Sequence, residues 1–209
     1  MRGPASLEGR RLVLVRHGQT AWNAEGRAQG HADVSLDDTG RAQAEAMAAV
    51  VATYDPVVLV SSDLARARET AAFLEKATGL TCAEDPRLRE YDVGERTGLT
   101  REEFAQNGGG EASWDVHAHV DVPGAETAEQ VAARIVPALQ EVHASLPDGG
   151  TGVVVTHGAS GRVGLCGLLG WPLEAYDALG TLANCAWVVL AEGRTGRLRL
   201  AAYNLTVPD

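Results

Sequence analysis

Positive charge is in short supply: 18 Lys and Arg stand against 28 Asp and Glu, a formal net charge of −10. A general binder of nucleic acid or of anionic membranes carries a basic surface, so both are disfavoured as partners. Cysteine is also scarce. Cys82, Cys166 and Cys185 are scattered, odd in number and form no C-x-x-C pair. That usage reads as reduced thiols in a cytoplasmic protein, not as a disulfide framework. Long apolar runs are missing as well. None approaches a membrane span, and Met1 to Arg11 carries no apolar stretch of the secretory kind.

What is present is globular. At 209 residues, 45% hydrophobic and 22% charged, the chain is expected to form one domain over 1–209, with residues 1–10 a loose leader. Leu12 to Arg16 is a short, mostly β-branched apolar run that stops at Arg16-His17-Gly18. This reads as a buried strand ending in a polar loop. Asn23 to Val34 reads as a polar loop, and Asp37 to Thr39 as caps for an Ala-rich helix from Arg41 to Thr53. Val57 to Val60 reads as a second strand. Ser61-Ser62-Asp63 then suits a helix cap before a helix over about 64–77, and residues 80–83 read as a short strand. A helix is expected from Glu126 to Leu146, where Val131, Ile135, Leu139, Val142 and Leu146 mark a buried stripe. Gly152 to Thr156 reads as a strand ending at His157-Gly158, followed by a helix over 160–169. Cys185 to Ala191 and Arg197 to Tyr203 read as a hairpin. The expected fold is a three-layer α/β/α arrangement, a mostly parallel sheet with helices on both faces.

Three of these strands end in residues able to do chemistry. The first ends in Arg16 and His17. The second leads through Ser61-Ser62-Asp63 to Arg66, one turn into the next helix. The last ends in His157. A parallel sheet presents such ends along one edge, where α/β proteins place their ligands. Arginine forks and histidines gathered with a carboxylate suit a tetrahedral dianion, and the helix N-terminus near 63–66 would add N–H donors. Gly18 would let the backbone approach a ligand closely.

At this point the residues meet a resemblance. Leu14 to Asn23 looks like the signature of the histidine phosphatase (phosphoglycerate mutase-like) superfamily. Ser61 to Ala67 resembles its second block, Leu88-Arg89-Glu90 its third and Val155 to Gly158 its fourth, in family order. The resemblance implies a phosphomonoester hydrolase in which His17 accepts the phosphoryl group and Glu90 donates a proton to the leaving alcohol. Arg16, Arg66 and His157 would hold the phosphate oxygens, with Asn23 and Gln29 as further contacts. Water would then attack the phosphohistidine with Glu90 as base. It implies no metal and no cofactor, a small phosphate ester as substrate and, by analogy with many relatives, a homodimer.

Mutases of this superfamily typically insert a longer segment between the third and fourth blocks, so the spacing from Glu90 to His157 favours hydrolysis. Gln19-Thr20, the stretch Leu179 to Trp187 and the overall layout are similar to a subgroup acting on glucosyl-3-phosphoglycerate. Pro123 to Thr127 departs from the common Pro-Gly-Gly-Glu-Ser loop, with Ala125 in place of a glycine. His117-Ala118-His119-Val120-Asp121 has the spacing of a metal site in some hydrolases but lacks the further histidine usual there. With Trp114, it reads rather as a pocket cover or plain surface. A phosphoglycerate mutase and a catalytically silent phospho-ligand binder remain the alternatives.

Overall fold

The computed structural model of the chain describes residues 9–109 and 122–207. The His117-to-Asp121 run, Trp114 and most of the leader lie outside the described residues. Among the described residues, six strands form one sheet in the order β3-β2-β4-β1-β5-β6. They are β1 (Arg11–Arg16), β2 (Pro56–Ser61), β3 (Ala83–Glu84), β4 (Thr151–Thr156), β5 (Trp187–Glu192) and β6 (Leu198–Leu205). β1 pairs with β4, β4 with β2 and β2 with β3 in parallel; β5 and β6 close one side antiparallel.

Burial explains why β1 shows no alternation. Leu12, Val13, Leu14 and Val15 are all within 1% of full burial, because helices cover both faces. Leu12 and Leu14 pack under α5 (Ala128–Ser145) and α6 (Gly158–Leu169), against Ile135, Leu139 and Val163. Val13 and Val15 pack under α2 (Asp38–Val51) and α3 (Ala65–Thr78), against Met47, Leu74 and Ala71. The stripe foreseen on α5 is the face turned inward.

Several boundaries differ from the sequence reading. A one-turn helix, α1 (Ala21–Ala24), lies where only loop was expected, capped by Thr20 and Asn23 in a reciprocal box. The short strand falls at 83–84 instead of 80–83. α3 is not capped by Ser61, Ser62 or Asp63; its first N–H, on Ala65, donates to Asp33 Oδ1 at 2.5 Å. Asp63 is spent instead on a two-point ion pair with Arg89. A further short helix, α4, spans Arg101–Gln106 and is capped by Thr100 and Glu103 in a reciprocal box.

The close approach at Gly18 is to protein, not to an open ligand face. A Cβ at Gly18 would lie 2.5 Å from the Gly40 carbonyl oxygen, and one at Gly40 would lie 2.0 Å from that of Gln19. The first turn of α2 therefore crosses the loop after β1 backbone against backbone and sets where His17 begins. Gly40→Ala is expected to lose about 1–3 kcal/mol or more of stability, since neither neighbour is a flexible side chain. Urea denaturation reads this directly, and an unchanged midpoint would mean that the crossing has slack.

Candidate active site

The parallel register places His17, Ser62 and His157 immediately past the ends of β1, β2 and β4, and Arg16 opposite Thr156. His17 and His157 face each other with ring centroids 5.2 Å apart. A cavity of about 410 Å³ opens beside them, lined by Arg16, His17, Asn23, Gln29, Arg66 and Glu90 among others. Six of the seven residues singled out from the sequence thus share one wall. The seventh, His157, is fully buried behind it.

The tautomers follow from partners. His17 Nδ1 lies 2.7 Å from the Gly18 carbonyl oxygen. A carbonyl only accepts, so Nδ1 holds the proton and Nε2 keeps a free lone pair. Arg66 Nε donates to His157 Nδ1 at 3.2 Å, which leaves the His157 proton on Nε2, 2.9 Å from Ser62 Oγ. His157 therefore has both ring nitrogens engaged by protein, and it meets the cavity through Arg66.

Arg66 is gripped on every side. Its Nη1 and Nη2 donate to the carbonyls of Ala32 and Gly30, each at 2.8 Å. Burial brings its guanidinium down to about 10, with Glu90 and Asp33 opposing the drop, and the group stays cationic at neutral pH. Arg16 donates through Nη1 to the Leu182 carbonyl, while its buried Nε has no partner among the described residues. That Nε lies beside Gly158, where a Cβ would sit 3.4 Å away. A buried charged donor without an acceptor is costly, so this group is set for an anion.

The two amides tell the same story. Asn23 Oδ1 accepts from Thr20 N and from Asn184 Nδ2, each at 3.2 Å. Gln29 Oε1 accepts from Thr20 Oγ1 at 3.0 Å. Each oxygen faces protein, and the NH₂ ends are the donors left for the cavity. The Glu90 carboxylate accepts from the N–H groups of Ala159 at 3.0 Å and Ser160 at 2.7 Å, at the start of α6. The helix N-terminus at the site thus serves Glu90, whereas that of α3 is taken by Asp33.

Several contributors were not foreseen. Asn184 Nδ2 and Cys185 N both donate to the His17 carbonyl, at 3.1 and 3.2 Å. Leu182 supplies an oxygen to Arg16. The likeness over Leu179 to Trp187 pointed to this stretch without assigning it a task. Cys185 has φ +55°, an unusual backbone for its type beside the site. Burial pushes its thiol up to about 12, so it is an inert neighbour. Arg68, two residues past Arg66, is exposed and 3.9 Å from Asp33. Among the described residues no cluster of His, Cys, Asp or Glu could hold a metal ion.

Burial, then the Arg66 and Arg16 charges, hold His17 well below its ordinary pKa; burial, Arg66 and His17 do the same to His157. Both are neutral in the fold. In the unfolded chain they titrate near 6.5. Unfolding below that pH takes up protons, so this contribution to stability is fully present above about pH 6.5 and is lost as pH falls from there toward the folded values. Each histidine gives a slope of up to about 1.4 kcal/mol per pH unit. Denaturation between pH 7.5 and 5.5 is expected to show falling stability that is shallower in His157→Gln; a flat profile contradicts it.

A model of the histidine phosphatase superfamily (branch 1) matches residues 12–206. The glucosyl-3-phosphoglycerate phosphatase of Mycolicibacterium vanbaalenii is 39% identical over 189 residues, 87% of this chain and 84% of the relative. A solved structure of the mycobacterial glucosyl-3-phosphoglycerate phosphatase with VO3 superposes with a TM-score of 0.86 at 39% identity, covering 94% of this chain and all of that one. A probable phosphoglycerate mutase of Erwinia tasmaniensis is 33% identical over 180 residues, 84% of this chain and 81% of that protein.

Proposed function

Since the chain belongs to the histidine phosphatase superfamily, branch 1, we propose that it hydrolyses a small phosphate monoester through a phosphohistidine at His17. The observation that carries the reading is the pairing of a neutral, Nδ1-protonated His17 with two guanidiniums at one cavity. Nε2 attacks phosphorus, a P–N bond forms and the ester P–O bond breaks. Positive charge developing on the ring is met by the Gly18 carbonyl at Nδ1. Glu90, protonated, gives its proton to the departing oxygen, a task worth roughly 10²–10⁴-fold for an alkoxide. Water then attacks phosphorus, its proton passes to Glu90, and inorganic phosphate leaves with His17 restored.

The transition state spreads charge over three oxygens, so positioning and electrostatics carry the catalysis. Arg16 and Arg66 supply the positive charge that a metal supplies elsewhere. Asn23 and Gln29 offer their NH₂ groups to the same oxygens. His157 was expected to hold a phosphate oxygen; with its ring nitrogens on Arg66 and Ser62, we assign it instead to fixing Arg66 beside His17.

For the substrate we favour a glycerate phosphate bearing a sugar, the compound in the names of the relatives above. The cavity is also lined by Arg101 and by Arg27, whose guanidinium is already paired with Glu25 and Glu103. We read the chain as one cytoplasmic domain that pairs as a homodimer. Among the described residues no helix is long and apolar enough to cross a membrane.

The test is phosphate release from p-nitrophenyl phosphate and a panel of glycerate and sugar phosphates in excess EDTA. Turnover that survives the chelator, ranked highest on glucosyl-3-phosphoglycerate, is expected. Phosphoryl exchange between 2- and 3-phosphoglycerate without phosphate release would assign the mutase activity instead, and binding without turnover a silent receptor.

A further inference from the structure

Glu90 is held from two directions, and only one of them belongs to the cavity. Its carboxylate rests on the N–H groups at the start of α6 and on the Tyr91 N–H at 3.0 Å. Its main-chain carbonyl is held from the far side, where it accepts from Arg134 Nη2 at 2.7 Å and from His31 Nε2 at 2.8 Å. Arg134 stands on α5 and serves three carbonyls of one segment: Arg87 at 2.9 Å, Arg89 at 2.7 Å and Glu90. The same guanidinium forks onto Glu126, with both contacts at 2.8 Å. Glu126 in turn accepts from Asp92 N at 2.8 Å and returns its own N–H to the Asp92 carbonyl at 2.9 Å. One part-buried cation therefore grips the chain at 87, 89 and 90 and, through Glu126, at 92.

An ion pair alone would need only Glu126. The three carbonyls are extra, and they bracket the residue that reaches the leaving group. We propose that Arg134 is the positioning residue for Glu90, with His31 as a lesser support on the same carbonyl. It sets how far the Glu90 carboxyl reaches toward the oxygen it protonates, and it does so without lining the cavity. The inference rests on the reading of Glu90 as the acid. Proton transfer needs heavy atoms about 2.6–3.2 Å apart. A displacement of about 1 Å in such a group costs on the order of 10²-fold. Lysine cannot replace the fork, since its ammonium is a compact point with three donors.

The experiment compares kcat and KM on an alkyl phosphate, 3-phosphoglycerate, with those on p-nitrophenyl phosphate, whose leaving group needs little protonation. Glu90→Gln is expected to lose far more on the alkyl ester. Arg134→Gln should follow it, with roughly 10²-fold lost in kcat on the alkyl ester, less than about 10-fold on the nitrophenyl ester, and KM little changed. Arg134→Lys should recover only part. His31→Gln, at an outer position, should show the same preference more weakly and serves if Arg134→Gln fails to fold. Equal losses on both esters in the Arg134 and His31 variants, with Glu90→Gln selective, would make Arg134 a structural residue and overturn the proposal alone. Equal losses in Glu90→Gln itself would overturn the acid assignment and the positioning role with it.

Discussion

His17→Ala is expected to abolish turnover, lowering phosphate release by roughly 10⁴-fold or more, the scale seen when a covalent nucleophile is removed. No neighbour can take its place. His157, 5.2 Å away between ring centroids, has both nitrogens committed to Arg66 and Ser62. Glu90 is tied to the α6 amides. Among the described residues, only His17 combines a free ring nitrogen at the cavity with a carbonyl positioned to accept its other proton. With a ³²P-labelled ester, the unaltered enzyme quenched in base should retain label that acid removes, as a phosphoramidate does. His17→Ala should retain none while keeping its circular-dichroism spectrum and melting temperature. A variant with activity within 10-fold of the parent, or label held on another residue, would refute the phosphohistidine.

The strand ends were legible because burial on both faces writes a continuous apolar run that stops at polar residues. Leu12 to Arg16 and Gly152 to Thr156 are such runs, and one parallel register converts them into a shared edge. The α5 stripe was legible for the related reason that one face packs and the other does not. Features held by distant or main-chain partners were not legible. Asp33 displaced Asp63 as the cap of α3 because a loop 32 residues earlier folds back over it. Leu182 reaches Arg16 through a carbonyl, which every residue type possesses. Arg134 acts on Glu90 across 44 residues, again through carbonyls, and nothing in its helix distinguishes it from a solvated arginine. Gly18 was recognised as a place of close approach, but what approaches it, the Gly40 backbone, depends on how α2 crosses the loop.

Arg66→Met should cost nearly as much as loss of the nucleophile, by about 10³-fold or more in kcat/KM, the low end of what an arginine contributes to phosphoryl transfer. Two effects combine, and Arg66→Lys separates them. The first is geometric: Arg66 donates to Gly30, Ala32 and His157 at once, so its remaining N–H groups point in a fixed direction. The second is electrostatic. After burial, the Arg66 charge is the largest influence lowering both His17 and His157. Methionine removes it, so both histidines become easier to protonate. The free enzyme needs His17 neutral, and the acidic limb of kcat/KM must therefore move to higher pH. Lysine keeps the charge but not the fork, so that limb should stay near its original position while kcat remains about 10²-fold down. Methionine also leaves the buried Gly30 carbonyl unpaired at about 1–3 kcal/mol, whereas the Ala32 carbonyl keeps the Val34 N–H. The melting temperature of each variant shows whether the assay sees folded protein. If the acidic limb does not move in Arg66→Met, the Arg66 charge is not what keeps His17 neutral. A loss below 10-fold would mean that Arg16 alone carries the phosphate.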